Sequence, residues 1–573
     1  MEFWENFKGY IGQFCNILTK IVYSNNIYIM GINCLLISTS GSPKILSDFI
    51  PDNGLGILAS CLVKEGNNVK ILDFNRIEIF RKVIPPEIKR FLLKLGRKIF
   101  IDGKRPNIFE IFKLKRAEEI IRREKENYCE IIKDEVSQII EKEKINFVGM
   151  KLWAGEGFDW SMELGKFIKK RYPEVKIFGG GPQVDIFGQE IFKRGEFFDG
   201  LCYGEGEETI VGLANFVQGK EKLEGIPNLI FKKDGRIFKT PRKYIENLDN
   251  IPFPIYHPEV YNGIEEKIKM FVLDESRGCP NNCYFCIHPV KSGKRRVKSP
   301  ERIIKEMKHS IEEYGVRLFR YAGSNTPAYL MEGIAKLILE NGLRIKYTSF
   351  GHFKDMEGGD FALLKKSGCE ALFFGVESAN EEILEKGMNK KLKKKEMEEV
   401  IKKCKSAGIF TVVSLIYPAP FENEKTRQET LQFMRDTRPD SALVQFPGIY
   451  PGTVWFKKPE KFNFEIDKET YCEKVMNYKI KSLFPPRFWD PLPYKVNGMS
   501  FKEFAYETEK FQMDLKKVGI NTGISDEAYL LYKYSGFNSL DEFLRNNRFF
   551  FFTGDGESLM EEIYRINENS KSI

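Results

Sequence analysis

Lys269-Met270-Phe271-Val272-Leu273, followed after one residue by Glu275-Ser276-Arg277-Gly278-Cys279-Pro280-Asn281-Asn282-Cys283-Tyr284-Phe285-Cys286, decides how this chain is read. The first run is a short, apolar, buried strand. Gly278, Pro280 and two asparagines then force a tight loop. The loop carries Cys279, Cys283 and Cys286 in a CxxxCxxC spacing. Three thiolates turned toward one point are the ligand set of an iron–sulfur cluster. Three cysteines on a four-iron cluster leave one iron open to a ligand that is not protein, which points to chemistry rather than electron storage. A Cys3His zinc site with His288 is the alternative, although one residue between Cys286 and His288 is a tight spacing for it. A disulfide framework does not fit an odd set of three.

Working outward, 573 residues predict two to four domains. A hydrophobic content of 42% with 13% aromatics supplies buried cores and argues against extended disorder. The net charge of +9 comes from 90 basic and 81 acidic residues, so the signs interleave. The basic runs Lys291–Lys298 and Lys391–Lys395 read as solvated faces rather than nucleic-acid patches; no nucleic-acid partner is expected. Eleven cysteines without a regular framework fit a reducing, cytoplasmic setting. Cys34, Cys61, Cys202, Cys369 and Cys404 read as small core residues. No secretory signal is visible. The apolar stretch from Phe14 to Leu36 is broken by Lys20, Ser24, Asn25, Asn26 and Asn33, too often for an integral membrane span.

Strand, turn and helix alternate on both sides of the cysteines. Ile32–Ser38, Val69–Asp73, Ile145–Leu152 and Val175–Phe178 read as strands, with a charged helical insertion over about 76–144. This predicts an α/β, doubly wound, Rossmann-like domain over 31–235, behind an N-terminal helical extension over 1–30. A proline-bearing linker follows over 236–270. Helix Ser299–Tyr314, with Ser299 as cap and Pro300 at its first position, opens a second alternation. Strands at Leu318–Tyr321, Ile345–Phe350, Ala371–Val376, Phe410–Tyr417 and Ala442–Phe446 join the strand before the cysteines. The six predict a partial (β/α)6 barrel over 271–455 with its chemistry at the carboxyl ends. Residues 456–573 read as a helical C-terminal domain. Glycine loops at the carboxyl ends of the first set of strands, Gly179-Gly180-Gly181-Pro182 and Gly204-Glu205-Gly206-Glu207-Glu208-Thr209, permit close backbone approach by a ligand.

The strand, the three-cysteine loop and Phe285 before the last cysteine resemble the radical SAM enzymes. That resemblance implies a 4Fe–4S cluster on Cys279, Cys283 and Cys286, with S-adenosyl-L-methionine (SAM) on the open iron. By the same resemblance Phe285, Ser324 and Asn325 in the loop after the second strand, Glu377 in Gly375-Val376-Glu377-Ser378, and Ser414 face SAM. The family's Gly-Gly-Glu loop is replaced here by Gly323-Ser324-Asn325. The first domain is similar to the cobalamin-binding domain that precedes the radical SAM barrel in one large subfamily. Asn53-Gly54-Leu55-Gly56, the glycine-rich loops and their order carry that similarity, and it implies cobalamin on Gly54, Gly180, Gly181, Gly204, Glu205 and Gly206. The DxHxxG loop of many corrinoid proteins is Thr39-Ser40-Gly41-Ser42-Pro43 here. The chain has no histidine before His257, so no histidine of this domain can ligate cobalt. The resemblance implies a C-methyltransferase acting on an unactivated carbon of a small-molecule, lipid or peptide substrate, through a 5′-deoxyadenosyl radical and methylcobalamin. Electrons would come from a flavodoxin or ferredoxin. The alternative is a radical cyclisation or rearrangement without methyl transfer. The subfamily's tail closes over the barrel mouth. No residue in the sequence stands out as a catalytic acid, base or radical quencher.

Overall fold

A computed structural model of the chain describes residues 31–481 and 483–573. The helical extension expected over 1–30 lies outside the described residues. Two parallel sheets dominate the structure.

The first sheet contains β1 (Asn33–Ser38), β2 (Asn68–Asp73), β3 (Phe147–Lys151), β4 (Lys176–Gly180), β5 (Gly200–Cys202), β6 (Leu229–Lys233), β7 (Arg236–Lys239) and β8 (Tyr261–Asn262). Its order is β7-β6-β5-β4-β3-β1-β2-β8. The six strands β1 to β5 and β8 run parallel, and β6–β7 is an antiparallel edge hairpin. Five of the six residues of β1 are buried, as a central parallel strand covered on both faces requires. Chain direction across the sheet reverses beside β1, so the crevice where such sheets take ligands opens at the carboxyl ends of β1 and β3. Helix Asn53–Lys64 starts there, capped by Asp52, whose carboxylate accepts from the Leu55 amide at 3.1 Å. Asn53-Gly54-Leu55-Gly56 forms its first turn. The insertion between β2 and β3 is helical and ends in the 36-residue helix Ile108–Glu143, which Asn107 and Glu110 open with a reciprocal capping box.

The second sheet contains β9 (Met270–Leu273), β12 (Leu318–Tyr321), β13 (Lys346–Gly351), β14 (Cys369–Glu377), β15 (Phe410–Ile416) and β16 (Ser441–Gln445) in chain order. All are parallel, the arrangement of an open β/α barrel wall. A short two-stranded ribbon, β10 (Ser276–Arg277) with β11 (Arg296–Val297), brackets the cysteine loop. Ser299 caps helix Pro300–Tyr314 through its side chain. The cores of the two sheets run into each other. Tyr256, from the segment expected to be a linker, packs on Phe271 of β9 with ring centroids 4.2 Å apart. The Tyr261 hydroxyl accepts from the Asp52 amide and donates to Asp73, both at 2.8 Å.

The tail differs from expectation in two ways. It is not all helix: β17 (Phe464–Ile466), β18 (Tyr494–Val496) and β19 (Met499–Ser500) form a small antiparallel sheet, and β20 (Asn521–Thr522) adds a seventh strand beside β16. Nor does all of it cover the barrel mouth. Tyr529 stacks on Phe410 at the amino end of β15, with centroids 3.8 Å apart. Ser441, at the amino end of β16, bonds the Ile524 carbonyl, and Asn567 brackets Lys267 and Lys269 just ahead of β9. Helices from Asp526 onward thus close the floor of the barrel. They also reach the first unit: Phe551 packs against Phe49 and Phe80, and Phe552 against Phe100. Among the described residues no helix is long and apolar enough to cross a membrane.

Candidate active site

The cysteine loop is held from several sides. Gly278 has a φ of 79°, and a Cβ there would fall 2.2 Å from the Lys294 carbonyl oxygen, so the turn demands glycine. The Cys279 amide donates to Gly293, the Tyr284 amide to Met388, and Asn389 bonds the Asn282 carbonyl. Trp455 clamps the far side: its amide donates to the Tyr284 carbonyl, its indole N–H to Gly387, and its ring meets Phe285 at 5.5 Å. Burial pushes the Cys283 thiol up to about 12 and the Cys286 thiol to about 11. Without metal these thiols stay protonated at neutral pH, and it is bound iron that would draw off their protons. Among the described residues no three His, Cys, Asp or Glu side chains converge on a single-ion site. The constrained loop, with three half-buried sulfurs and a side-chain amide 3.7 Å from Cys279 Sγ, is a donor set that fits an iron–sulfur cluster.

Facing the cysteines at the carboxyl ends of the second sheet are the expected SAM residues. Register shifts between Gly375 and Glu377 of β14, and Glu377 takes a φ of 64°. Such a bulge with a left-handed non-glycine residue re-aims a side chain. The Glu377 carboxylate accepts from Lys390 Nζ at 2.9 Å on one oxygen and from Ser414 Oγ at 3.0 Å on the other. Glu377 and Ser414 are thus brought together, and each carboxylate oxygen keeps one lone pair for a hydroxyl. Lys390 belongs to no motif and went unseen, although it is buried and close enough to act electrostatically on Cys283 and Cys286.

The loop after β12 hangs on Glu275. This fully buried carboxylate accepts from the Gly323 amide at 3.0 Å, Thr326 Oγ1 at 2.6 Å and Ser276 Oγ at 2.9 Å. Burial still holds its pKa above the ordinary value. Asn325 donates to Asp355 at 2.5 Å, and Arg295 donates to the same oxygen. Among the described residues the buried Asn325 Oδ1 has no partner, which suits it to accept from an ammonium group such as that of SAM. His352, between Lys390 and Asp355, is pushed down to about 4 by burial and then by Lys390, and is neutral.

Between the two sheets lies a cavity of ≈ 380 Å³ that opens to solvent. Gly54, Gly180, Gly181, Gly204, Glu205 and Gly206 all line it, as do Ala322 and Ser324 from the barrel side. One space is therefore walled by the carboxyl ends of both sheets. Its inner end runs between Leu36, Gly149 and Phe178 of the first sheet and Leu58 and Ile210 of the covering helices. A Cβ at Gly149 would fall 2.8 Å from Leu36, and one at Gly181, with φ 91°, 3.1 Å from Lys151. Glycine backbone, an apolar slot and polar rims fit a large ligand with a flat body and amide arms, as cobalamin is.

Several expectations change here. Glu205 lines the cavity, but its carboxylate is already engaged, at 2.6 Å by Arg296 and at 2.6 Å by the Ile245 amide. The Gly204 amide is taken by Asp185 at 2.7 Å. Glu207 instead keeps a buried Oε2 at the cavity wall with no partner among the described residues. Cys202 packs against the core, as expected, and is half-buried because it also lines the cavity. The loop Thr39–Pro43 turns away: Thr39 bonds Gly157 and Ser161, and Ser42 bonds Glu156. The charged group at that edge of the cavity is Lys151, paired with Asp52 at 2.6 Å. A histidine does reach the cavity, from the other unit. His288, weighed above only as a zinc ligand, bonds Ser324 at 3.0 Å and is lowered to about 4 by burial and then Lys291. The run Lys291–Lys298 is no solvated face, because Arg295, Arg296 and Lys298 are largely buried and paired to Asp355, Glu205 and Glu306.

Arg277, one residue ahead of Gly278, ties the units together. It pairs with Asp274 at 2.6 Å, Glu207 at 2.5 Å and Glu205 at 3.8 Å. Burial alone would raise the Asp274 carboxyl, but the adjacent guanidinium holds it below its ordinary value.

Residues 276–434 match the model of the Radical SAM superfamily. A protein of Pyrococcus horikoshii described as the uncharacterized methyltransferase PH0819 is 28% identical over 329 residues, covering 56% of this chain and 71% of that protein. The hopanoid C-3 methylase of Methylococcus capsulatus is 26% identical over 305 residues, 51% of this chain, and the match spans little over half, 56%, of its length. Among solved structures, the radical S-adenosylmethionine methyltransferase TsrM from Kitasatospora setae, with cobalamin and a [4Fe-4S] cluster bound, superposes over 93% of this chain and 99% of its own. The TM-score is 0.61 at 14% identity, a likeness of fold. Residues 276–434 thus form a Radical SAM superfamily domain, and the chain is a radical SAM enzyme.

Proposed function

We propose that this chain is a cobalamin-dependent radical SAM C-methyltransferase acting on an unactivated carbon. The observation that carries the reading is the single cavity walled by the carboxyl ends of both sheets, lined on the barrel side by Ser276, Arg277 and His288, which flank the three-cysteine loop in the chain. When bound, the cluster with SAM supplies a 5′-deoxyadenosyl radical and the corrin supplies the transferable methyl group. The chain's own residues do the rest by placement and exclusion. Cys279, Cys283 and Cys286 hold the cluster. Asn325 Oδ1 accepts from the SAM ammonium, and the Glu377–Ser414–Lys390 group meets its ribose. Gly54, Gly180, Gly181 and Gly206 let the corrin approach the backbone, while Glu207 Oε2 accepts from one of its amide arms. Arg277 fixes the spacing between the two halves, on which alignment of reacting centres depends. The apolar inner wall of Leu36, Leu58, Phe178 and Ile210 limits water around the reacting centres. The substrate class left open is a small molecule, lipid or peptide, with an external flavodoxin- or ferredoxin-type electron donor.

The test begins with anaerobic purification, reconstitution with iron and sulfide, addition of hydroxocobalamin, and measurement of corrin per chain after desalting. Near-stoichiometric corrin beside a full cluster, with S-adenosylhomocysteine formed on reduction with SAM, supports the proposal. A full cluster without corrin sinks it. SAM cleavage to 5′-deoxyadenosine with no S-adenosylhomocysteine transfers the assignment to a radical rearrangement.

A further inference from the structure

The helical insertion between β2 and β3 ends in a tip that nothing above uses. Residues 97–116 read Arg-Lys-Ile-Phe-Ile-Asp-Gly-Lys-Arg-Pro-Asn-Ile-Phe-Glu-Ile-Phe-Lys-Leu-Lys-Arg, with seven basic and two acidic residues. Phe100 packs on Phe552 and Leu114 is buried, but four other apolar side chains point outward: Phe109 is 75% exposed, Phe112 66%, Ile108 58% and Ile101 45%. Scattered exposed apolar residues are ordinary, but four on one tip are not. Phe109, then Phe112 with Lys113, then Arg116 follow at three- and four-residue spacing, so the apolar tip passes into a basic band on one face of helix Ile108–Glu143. The opposite face, Leu114, Ala117 and Ile121, is buried in the protein. Glu110 is turned inward to Lys98 and the Asn107 amide. Arg97, Lys104, Arg105, Lys113, Lys115 and Arg116 are left exposed around the aromatics.

We propose that this tip is a membrane-docking element that seats the enzyme on the surface of an anionic phospholipid bilayer. Phe109, Phe112, Ile108 and Ile101 would enter the boundary between headgroups and acyl chains, and the surrounding cations would lie among the phosphates. Charge complementarity selects the occupant. A neutral protein partner gives no role to six exposed cations, and a nucleic acid gives none to a convex apolar knob that offers no stacking groove.

The test is co-sedimentation of the full chain with vesicles of phosphatidylglycerol and phosphatidylcholine, against phosphatidylcholine alone. Binding to the anionic vesicles that weakens with salt is expected. Phe109→Ser with Phe112→Ser should weaken it at least about tenfold, and Lys104→Glu with Arg105→Glu should abolish the preference for anionic vesicles. The exposed pair Tyr506→Ser with Tyr564→Ser serves as control and should change nothing. These side chains are exposed, so an unchanged melting temperature is expected and shows that the fold survives. The proposal is overturned if the chain binds no vesicles or the Phe double variant binds like the native chain. It is equally overturned if removal of residues 1–30 abolishes binding while the tip variants leave it intact, or if the Phe variant merely turns a dimer of this chain into a monomer.

Discussion

Replacing Arg277 with methionine should unlatch the cysteine loop from the cobalamin-binding-like unit. The guanidinium sits among Asp274, Glu207 and Glu205, all largely buried, and neutralises charge that has little access to water. Removing one partner of a buried ionic group strands the others and costs about 3–5 kcal/mol. Glu207→Gln should cost less, about 1–2 kcal/mol, because Asp274 and Glu205 remain to hold Arg277. The double variant should then fall short of the sum by about 1.5 kcal/mol or more, a coupling read from urea midpoints followed by tryptophan fluorescence. The pH dependence gives an independent sign. In the native chain the lowered Asp274 carboxyl contributes stability above its unfolded pKa, near 3.9, and that contribution is lost as pH falls through its lower folded pKa. In Arg277→Met the buried Asp274 carboxylate loses the charge that offsets its burial and holds its proton more tightly, so the variant should recover stability as pH falls toward the unfolded pKa. Additive single variants, with a coupling below about 0.5 kcal/mol and no pH-dependent recovery, would show that water reaches the network and that it is no latch.

Cys279→Ser, Cys283→Ser or Cys286→Ser should each bring bound iron from about four per chain to a small fraction of that, while corrin binding persists, because the glycine-lined walls belong to other elements; iron and corrin assays on one sample decide this. Lys390→Met should weaken SAM binding about tenfold or more, because Glu377 loses its buried counter-ion, whereas Lys390→Arg should recover part of it; equilibrium dialysis of the reconstituted enzyme reads the difference. Glu562, buried and bonded to Asn547 at 2.9 Å, is raised by burial to about 7. Its folded form keeps the proton longer than the unfolded one, so it costs stability progressively as pH rises from about 4.5 to 7 and fully above that. Glu562→Gln should therefore raise the melting temperature at pH 8 and leave it nearly unchanged at pH 4.

What the sequence made legible was periodic or chemically singular. Buried strands such as Leu318–Tyr321 and Phe410–Ile416 announce themselves as apolar runs bounded by turns, and the cysteine spacing names its ligand chemistry outright. The glycines of the cavity were visible as runs, although only the structure shows that Gly54, Gly181 and Gly206 wall one space. Long-range charge partners were not legible. Arg295, Arg296 and Lys298 look like a solvated basic run because their carboxylates, Asp355, Glu205 and Glu306, lie on other elements. Lys390 was hidden in the same way beside Lys391–Lys395, and its meaning rests on the bulge that turns Glu377 inward. The split role of the tail was equally invisible, since an amphipathic helix shows that it has a partner but not at which end of a barrel that partner lies.

The packing of Phe551 on Phe49 and Phe80 has a consequence for biosynthesis. On a ribosome the first sheet emerges hundreds of residues before helix Leu540–Thr553. The nascent first unit therefore waits with its aromatic seat uncovered, and closing so long a loop is entropically slow. Gly554 lies so close to Ile84 that a Cβ there would fall 2.2 Å from its side chain, so the late arrival docks without slack. Vectorial synthesis thus leaves the seat formed by Phe49 and Phe80 among the last parts to be finished, and a chain stalled short of its closing helices would present a sticky face to chaperones rather than an independent, functional front half.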